Sequence, residues 1–132
     1  MSTKQRTILI VEDEATILYA LQSKLSVDGF DILAVSDGAK ALEALDSVIP
    51  DLILLDLILP LVDGWHVLEK IKEDNELKNV PVMIMTNLTD TDSKDRGVKL
   101  GASDFIIKAE YNLDDIVIRI HRLLDTNHRK TE

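Results

Sequence analysis

Five short apolar runs, each parted from the next by an amphipathic stretch, constrain this chain more than any other feature. Ile8-Leu9-Ile10-Val11, Leu52-Ile53-Leu54-Leu55, Val82-Met83-Ile84-Met85 and Phe105-Ile106-Ile107 are apolar at every position rather than at alternate ones. Such strands must be covered on both faces, which helices flanking a parallel sheet accomplish. Residues 31–35 form a weaker run that suits a place near an edge. The expected class is α/β: a doubly wound parallel sheet of five strands flanked by five helices.

The intervening segments carry helical spacing. Ile17, Leu18, Leu21 and Leu25 share one face of a helix expected over about 14–28, closed by Gly29. Asp37-Gly38 leads into a second helix with Ala41, Leu42 and Leu45 inward, and Pro50 stops it. Strand three is expected over 51–56, followed by a loop at 59–64 and a third helix marked by Val67, Leu68 and Ile71. Strand four begins near Val80-Pro81, strand five covers about 104–107, and Ile116, Val117, Ile120, Leu123 and Leu124 mark the last helix. The fourth helix, residues 90–99, differs from the rest. It has Val98 as its one large apolar residue and an interior Gly97, which costs about 1 kcal/mol relative to alanine. It should be the least firmly packed element.

The chain has 132 residues, enough for one domain that buries roughly two thirds of its unfolded surface. Lys and Arg number 15 against 24 Asp and Glu, a formal net charge of −9. That balance disfavours nucleic acid and anionic membranes as partners. Arg119, Arg122, Arg129 and Lys130 read as a solvated helix face. Without cysteine there are no disulfides, thiolate metal sites or cysteine nucleophile. The polar start lacks a secretory h-region and no run reaches the ~20 residues of a membrane span, so a cytoplasmic protein is expected. The expected organisation is a single domain over 1–132 with its core at about 7–125 and no output domain after Leu124.

Four carboxylates flank strand runs: Glu12 and Asp13 follow the first, Asp51 precedes the third and Asp56 follows it. Ligands of open α/β sheets bind beyond the carboxyl ends of the strands. Glu12, Asp13 and Asp56 would converge there in a negative pocket that calls for a cation. Thr86 and Lys108 close two later runs. An acid pair, a lone acid, a hydroxyl and an ammonium are what magnesium-assisted phosphoryl acceptance needs. Taken singly each residue has a plain alternative: acids at a helix start, a loop aspartate, a strand-ending threonine, a solvated lysine. His66, His121 and His128 have no partner at metal-ligand spacing and read as surface residues.

Residues 8–14, residues 51–60 with Asp63-Gly64, residues 81–86 and residues 101–108 together make the chain resemble the receiver domain of bacterial two-component response regulators. The resemblance runs from about residue 7 to 125. It implies a flavodoxin-like sheet in the order 2-1-3-4-5, with Asp56 as phosphoacceptor, becoming 4-aspartylphosphate. It implies Mg2+ held by Asp13 and Asp56, by Glu12 directly or through water, and by the backbone carbonyl of Ile58. Lys108 and Thr86 would bind phosphoryl oxygens, and Phe105 would act with Thr86 as the switch that alters the face of helix four, strand five and helix five. The implied partners are a sensor histidine kinase or histidine phosphotransfer protein and an unknown downstream protein. The chain would be a monomer or a weak phosphorylation-dependent dimer, and no turnover enzyme.

Two departures stand out. Ala109 replaces the proline that commonly follows the family's lysine through a cis bond. A cis bond before a non-proline residue costs about 2.5–4 kcal/mol, so a trans peptide and a different path of the loop 109–112 are expected, with consequences for the reach of Lys108. Asn87 stands where a small residue is usual, and would narrow access to Asp56 or add a hydrogen bond. Ile58 and Leu88, two residues past Asp56 and Thr86, cannot orient an attacking water, so self-dephosphorylation should be slow. Ile58 also argues against an aspartate-nucleophile phosphohydrolase, which needs a second acid there. Glu12-Asp13-Glu14 argues against flavin phosphate binding, which needs donors in that loop. A degenerate, unphosphorylated interaction module is the remaining alternative.

Overall fold

The computed structural model describes residues 5–88 and 90–130, without the side chains of 126–130, so the surface placement expected for His128, Arg129 and Lys130 lies outside the described residues. Five strands alternate with five helices: β1 (Thr7–Val11), α1 (Ala15–Val27), β2 (Asp31–Val35), α2 (Gly38–Leu45), β3 (Leu52–Leu55), α3 (Gly64–Glu73), β4 (Val82–Thr86), α4 (Thr91–Lys99), β5 (Asp104–Ile107) and α5 (Leu113–Lys130). All neighbouring strands are parallel, in the order β2-β1-β3-β4-β5. The weaker run is thus an edge strand, as its sequence suggests. Pro81 precedes β4, and its carbonyl accepts from the Ile53 amide at 3.0 Å.

Alternate residues of the central strands serve two separate cores. Leu9, Val11, Ile53, Leu55, Val82 and Ile84 pack with α2 and α3 on one face. Ile8, Ile10, Leu52, Leu54, Met83 and Met85 pack with α1 and α5 on the other. That division explains why these strands are apolar throughout. None of the described helices is long and apolar enough to cross a membrane.

Helix starts follow side-chain chemistry. The carboxylates of Asp37, Asp63 and Asp90 accept from the amides of Lys40, His66 and Ser93 at 2.7, 3.0 and 2.9 Å, capping α2, α3 and α4. Helix α1 has Glu14 at its N-cap with no such bond. Gly29, with φ +95°, closes the end of α1.

Candidate functional site

Parallel strands leave the sheet at one edge, so Glu12, Asp56, Thr86 and Lys108 meet there. Val11 pairs with Leu55, which sets the following residues, Glu12 and Asp56, side by side. The ladder continues one step beyond the strands: the Glu12 amide donates to the Val35 carbonyl and the Asp56 amide to that of Val11, both at 3.1 Å. Leu55 lies opposite Ile84 and Thr86 opposite Ile107, so Lys108 follows one residue past Thr86. Asp51 sits at the other end of β3, where its carboxylate accepts from the Thr7 amide at 2.7 Å. It takes no part in the cluster.

Lys108 is the hub. Its ammonium lies 2.6 Å from Asp56 Oδ2, 2.7 and 2.9 Å from the two Glu12 oxygens and 3.0 Å from Glu14 Oε1. Glu12 and Asp56 are buried, and the Lys108 side chain is nearly so. Asp56 Oδ1 accepts from the Ile58 amide at 3.1 Å, and Glu12 Oε2 from the Glu14 amide at 2.9 Å. Burial alone would lower the Lys108 pKa. Hydrogen bonds to Asp56, Glu12 and Glu14 outweigh it, and the net displacement is upward, so the ammonium stays charged. Burial raises the Glu12 pKa by more than the Lys108 hydrogen bond lowers it.

Oxygens of Glu12, Asp13 and Asp56 all lie within 4.8 Å of one another, with Asp13 the exposed member. Glu12 Oε1 touches the ammonium off the hydrogen-bonding direction, and is a buried oxygen without a hydrogen-bond partner among the described residues. With Glu14 included, the five charged groups sum to about −3 at neutral pH. An all-oxygen donor set with excess negative charge suits a hard divalent cation such as magnesium.

Thr86 is fully buried; its hydroxyl oxygen accepts from the Leu88 amide at 3.4 Å, and its proton has no acceptor among the described residues. Phe105 is half-buried, and borders a cavity of about 350 Å³ lined also by Leu88, Asp90, Thr91 and Lys94. Lys108–Glu110 form a single 3-10 turn, and every peptide among the described residues is trans. The turn takes the chain from β5 toward α5 without the proline, and Lys108 still reaches Asp56. Asn87 is exposed, and Leu88 is half-buried.

Glu14 escapes a reading by strand ends because it begins a helix. The signal was the third acid of Glu12-Asp13-Glu14, and the structural mark is that it binds Lys108 instead of capping α1. Arg119 was expected to be solvated. Its guanidinium instead meets the Asp104 carboxylate at 3.0 and 2.7 Å and the Tyr111 hydroxyl at 2.9 Å, tying α5 to β5 and to the loop after Lys108. His121 Nε2 lies 3.0 Å from Asp28, an ordinary link between α5 and the end of α1, and His66 is exposed.

The family model of the response regulator receiver domain matches residues 8–121. The DNA-binding response regulator MtrA of Mycobacterium tuberculosis is 35% identical over 127 residues, covering 96% of this chain and 54% of MtrA. The chain spans about half the length of the curated relatives it matches. Among solved structures, the signal receiver domain of a signal transduction histidine kinase from Syntrophus aciditrophicus has a TM-score of 0.83 at 32% identity, covering 92% of this chain and 91% of that one. The Mn(2+)-bound form of response regulator Rcp1 has a TM-score of 0.74 at 32% identity, covering 83% and 85%.

Proposed function

Because the chain belongs to the response regulator receiver domain family of two-component systems, we propose that it is a phosphoacceptor switch with Asp56 as the accepting group. The carrying observation is the Lys108 ammonium seated 2.6 Å from a buried Asp56 within a cluster of further acids. An oxygen of Asp56 attacks the phosphorus of a phosphorylated histidine on a sensor kinase or phosphotransfer protein. The P–N bond breaks, its electron pair stays on the ring nitrogen, which takes a proton, and an acyl phosphate remains on Asp56.

Phosphoryl transfer runs through a loose transition state, so positioning and charge neutralisation do most of the work. Lys108 holds Asp56 in place and neutralises one phosphoryl oxygen, and the Thr86 hydroxyl donates to another. A magnesium ion would be held by Asp13, Asp56 and the Ile58 carbonyl, with Glu12 direct or through water, and would supply the remaining positive charge. That Rcp1 has a Mn(2+)-bound form supports a divalent ion here. After transfer, Thr86 moves toward the phosphoryl group, Phe105 turns into the space it leaves, and the α4-β5-α5 face changes its affinity for a downstream partner. The cavity beside Phe105 supports that movement. DNA binding is a property of MtrA. This chain, with its formal net charge of −9, would act through protein contacts.

The test is intact mass after exposure to acetyl phosphate. One phosphoryl adduct is expected with Mg2+, and none with a chelator or in Asp56→Asn. The adduct should outlast a minute without a phosphatase, since apolar Ile58 and Leu88 orient no water. An adduct that persists in Asp56→Asn ends the proposal.

A further inference from the structure

Asp56 is only 3% exposed, at the floor of an acidic cleft, so any protein that delivers phosphorus to it must press on the cleft's rim. Of the residues next to the cleft, Asp13, Glu14 and Asn87 are exposed and polar. One sector is apolar: Ile58 is 55% and Leu61 83% exposed, in the loop that leaves the sheet directly after Asp56.

The backbone holds Leu61 in an unfavourable state. Its φ is +68°, the one positive value at a non-glycine residue among those described. The Val62 amide donates to the Pro60 carbonyl at 2.8 Å across it. The two facts together make a γ-turn of the strained hand. Glycine or asparagine would sit there at lower cost.

The surroundings explain why the turn persists. The Gly64 amide donates to the Leu57 carbonyl at 2.9 Å and closes the loop. At Gly64 a side chain is barred, since a Cβ would come 2.2 Å from the Asp56 carbonyl oxygen. At Gly38 a Cβ would come 1.8 Å from the Val62 carbonyl oxygen. The loop is therefore pinned on both sides of Leu61. Three residues from Gly64, its Cα lies within about 11 Å of the contact with Asp56. That is well inside the footprint of a protein–protein interface of roughly 800 Å² per partner.

We propose that Leu61, with Ile58 beside it, is a specificity-determining contact for the histidine-phosphorylated donor protein, presenting a preset apolar knob to an apolar patch next to the donor's phosphohistidine. The inference rests on the phosphoacceptor reading and adds the surface by which the donor is chosen. A backbone outlier held at an exposed position near a reactive group is the kind of observation from which a functional role is inferred. A rigid apolar contact also spares the donor complex the ordering cost of a mobile loop. Acetyl phosphate has no protein surface to dock, so its phosphorus reaches Asp56 without a docking contact at the knob.

The test compares Leu61→Gly, Leu61→Asn and Leu61→Met with wild type. Each is labelled by acetyl phosphate with Mg2+, and by the fastest donor in a panel of autophosphorylated histidine kinases. Glycine and asparagine tolerate the backbone, so the variants fold. Acetyl phosphate labelling should stay within twofold of wild type for all three. Transfer from the kinase should fall about tenfold in kcat/KM for Leu61→Gly and Leu61→Asn, and recover in Leu61→Met. Equal kinase transfer in Leu61→Gly overturns the proposal. So does a wild-type dimer in sedimentation that Leu61→Gly dissolves with transfer unchanged, which would make a second copy the occupant. Labelling by acetyl phosphate with no transfer from any kinase also removes it, leaving Asp56 as acceptor intact. Failure of acetyl phosphate on wild type would instead strike the phosphoacceptor reading itself.

Discussion

Helices α3 and α4 cover the same face of the sheet with 10 and 9 residues, yet the sheet holds them by different means. Helix α3 inserts Val67, Leu68 and Ile71 into the core under β3 and β4. Among its described residues α4 buries Gly97 alone, and Val98 is 60% exposed. What fixes α4 is a set of small contacts. Gly97 approaches Ile84 and Phe105, Asp90 caps the first turn, and the Arg96 guanidinium lies 4.2 Å above the Trp65 ring of α3. One helix is an anchor and the other is held at its margins. The proposed switch draws on both, because a firmly packed helix next to Phe105 would resist displacement.

Truncating one apolar residue in each helix should separate them most sharply. Leu68→Ala empties a fully buried position and should cost about 2–5 kcal/mol in urea unfolding. Val98→Ala should stay within about 0.5 kcal/mol, as for an exposed side chain. Similar losses at the two positions would mean that α4 is as deeply anchored as α3.

Gly97→Ala gives a smaller effect with two opposed parts. A new Cβ would stand 3.0 Å from Ile84 Cδ1 and 3.2 Å from Phe105 Cδ2. Alanine gains about 1 kcal/mol of helix propensity, while forcing extra volume between packed groups typically costs about 1–3 kcal/mol. A net loss of roughly 1 kcal/mol is expected, with faster amide exchange in α4 and none of that acceleration in α3. A stabilised variant would show that α4 moves off the sheet without resistance, and that its glycine has no packing role.

Gly97 also marks where the sequence was legible and where it was not. The weak packing of α4 could be read from its polar run, because burial needs apolar side chains. That Gly97 sits against Ile84 and Phe105 could not, since an interior glycine gives the same signal whether it loosens a helix or lets it approach closely. The site divides in the same way. Glu12, Asp56, Thr86 and Lys108 end apolar runs, and parallel strands must deliver such residues to one edge. Glu14 belongs to a helix start and joins only through the length of the Lys108 side chain. Arg119 looked solvated because its partners, Asp104 and Tyr111, are brought to it by the fold. The strain at Leu61 is a backbone property with no counterpart in composition.

The subtlest difference lies in the caps. Asp63 of α3 accepts from the His66 amide, whereas Asp90 of α4 accepts from both the hydroxyl and the amide of Ser93. These bonds, the hydroxyl first, hold the Asp90 pKa below its ordinary value. A carboxylate whose pKa is lowered by folding contributes stability that is present above its unfolded value, near 3.8, and lost as pH falls through the lower folded value. The cap of α4 therefore survives in acid beyond the point at which a free aspartate would be protonated. Carbon NMR of the Asp90 carboxyl group should show a midpoint below 3.8 in wild type, moving upward in Ser93→Ala. Because Asp90 is exposed, the consequence for global stability is small, and added salt should leave most of the displacement in place, since hydrogen bonds cause it. A midpoint indifferent to Ser93 would leave the first turn of α4 without its particular hold, and would make Gly97 and Arg96 the contacts that determine how readily the helix moves.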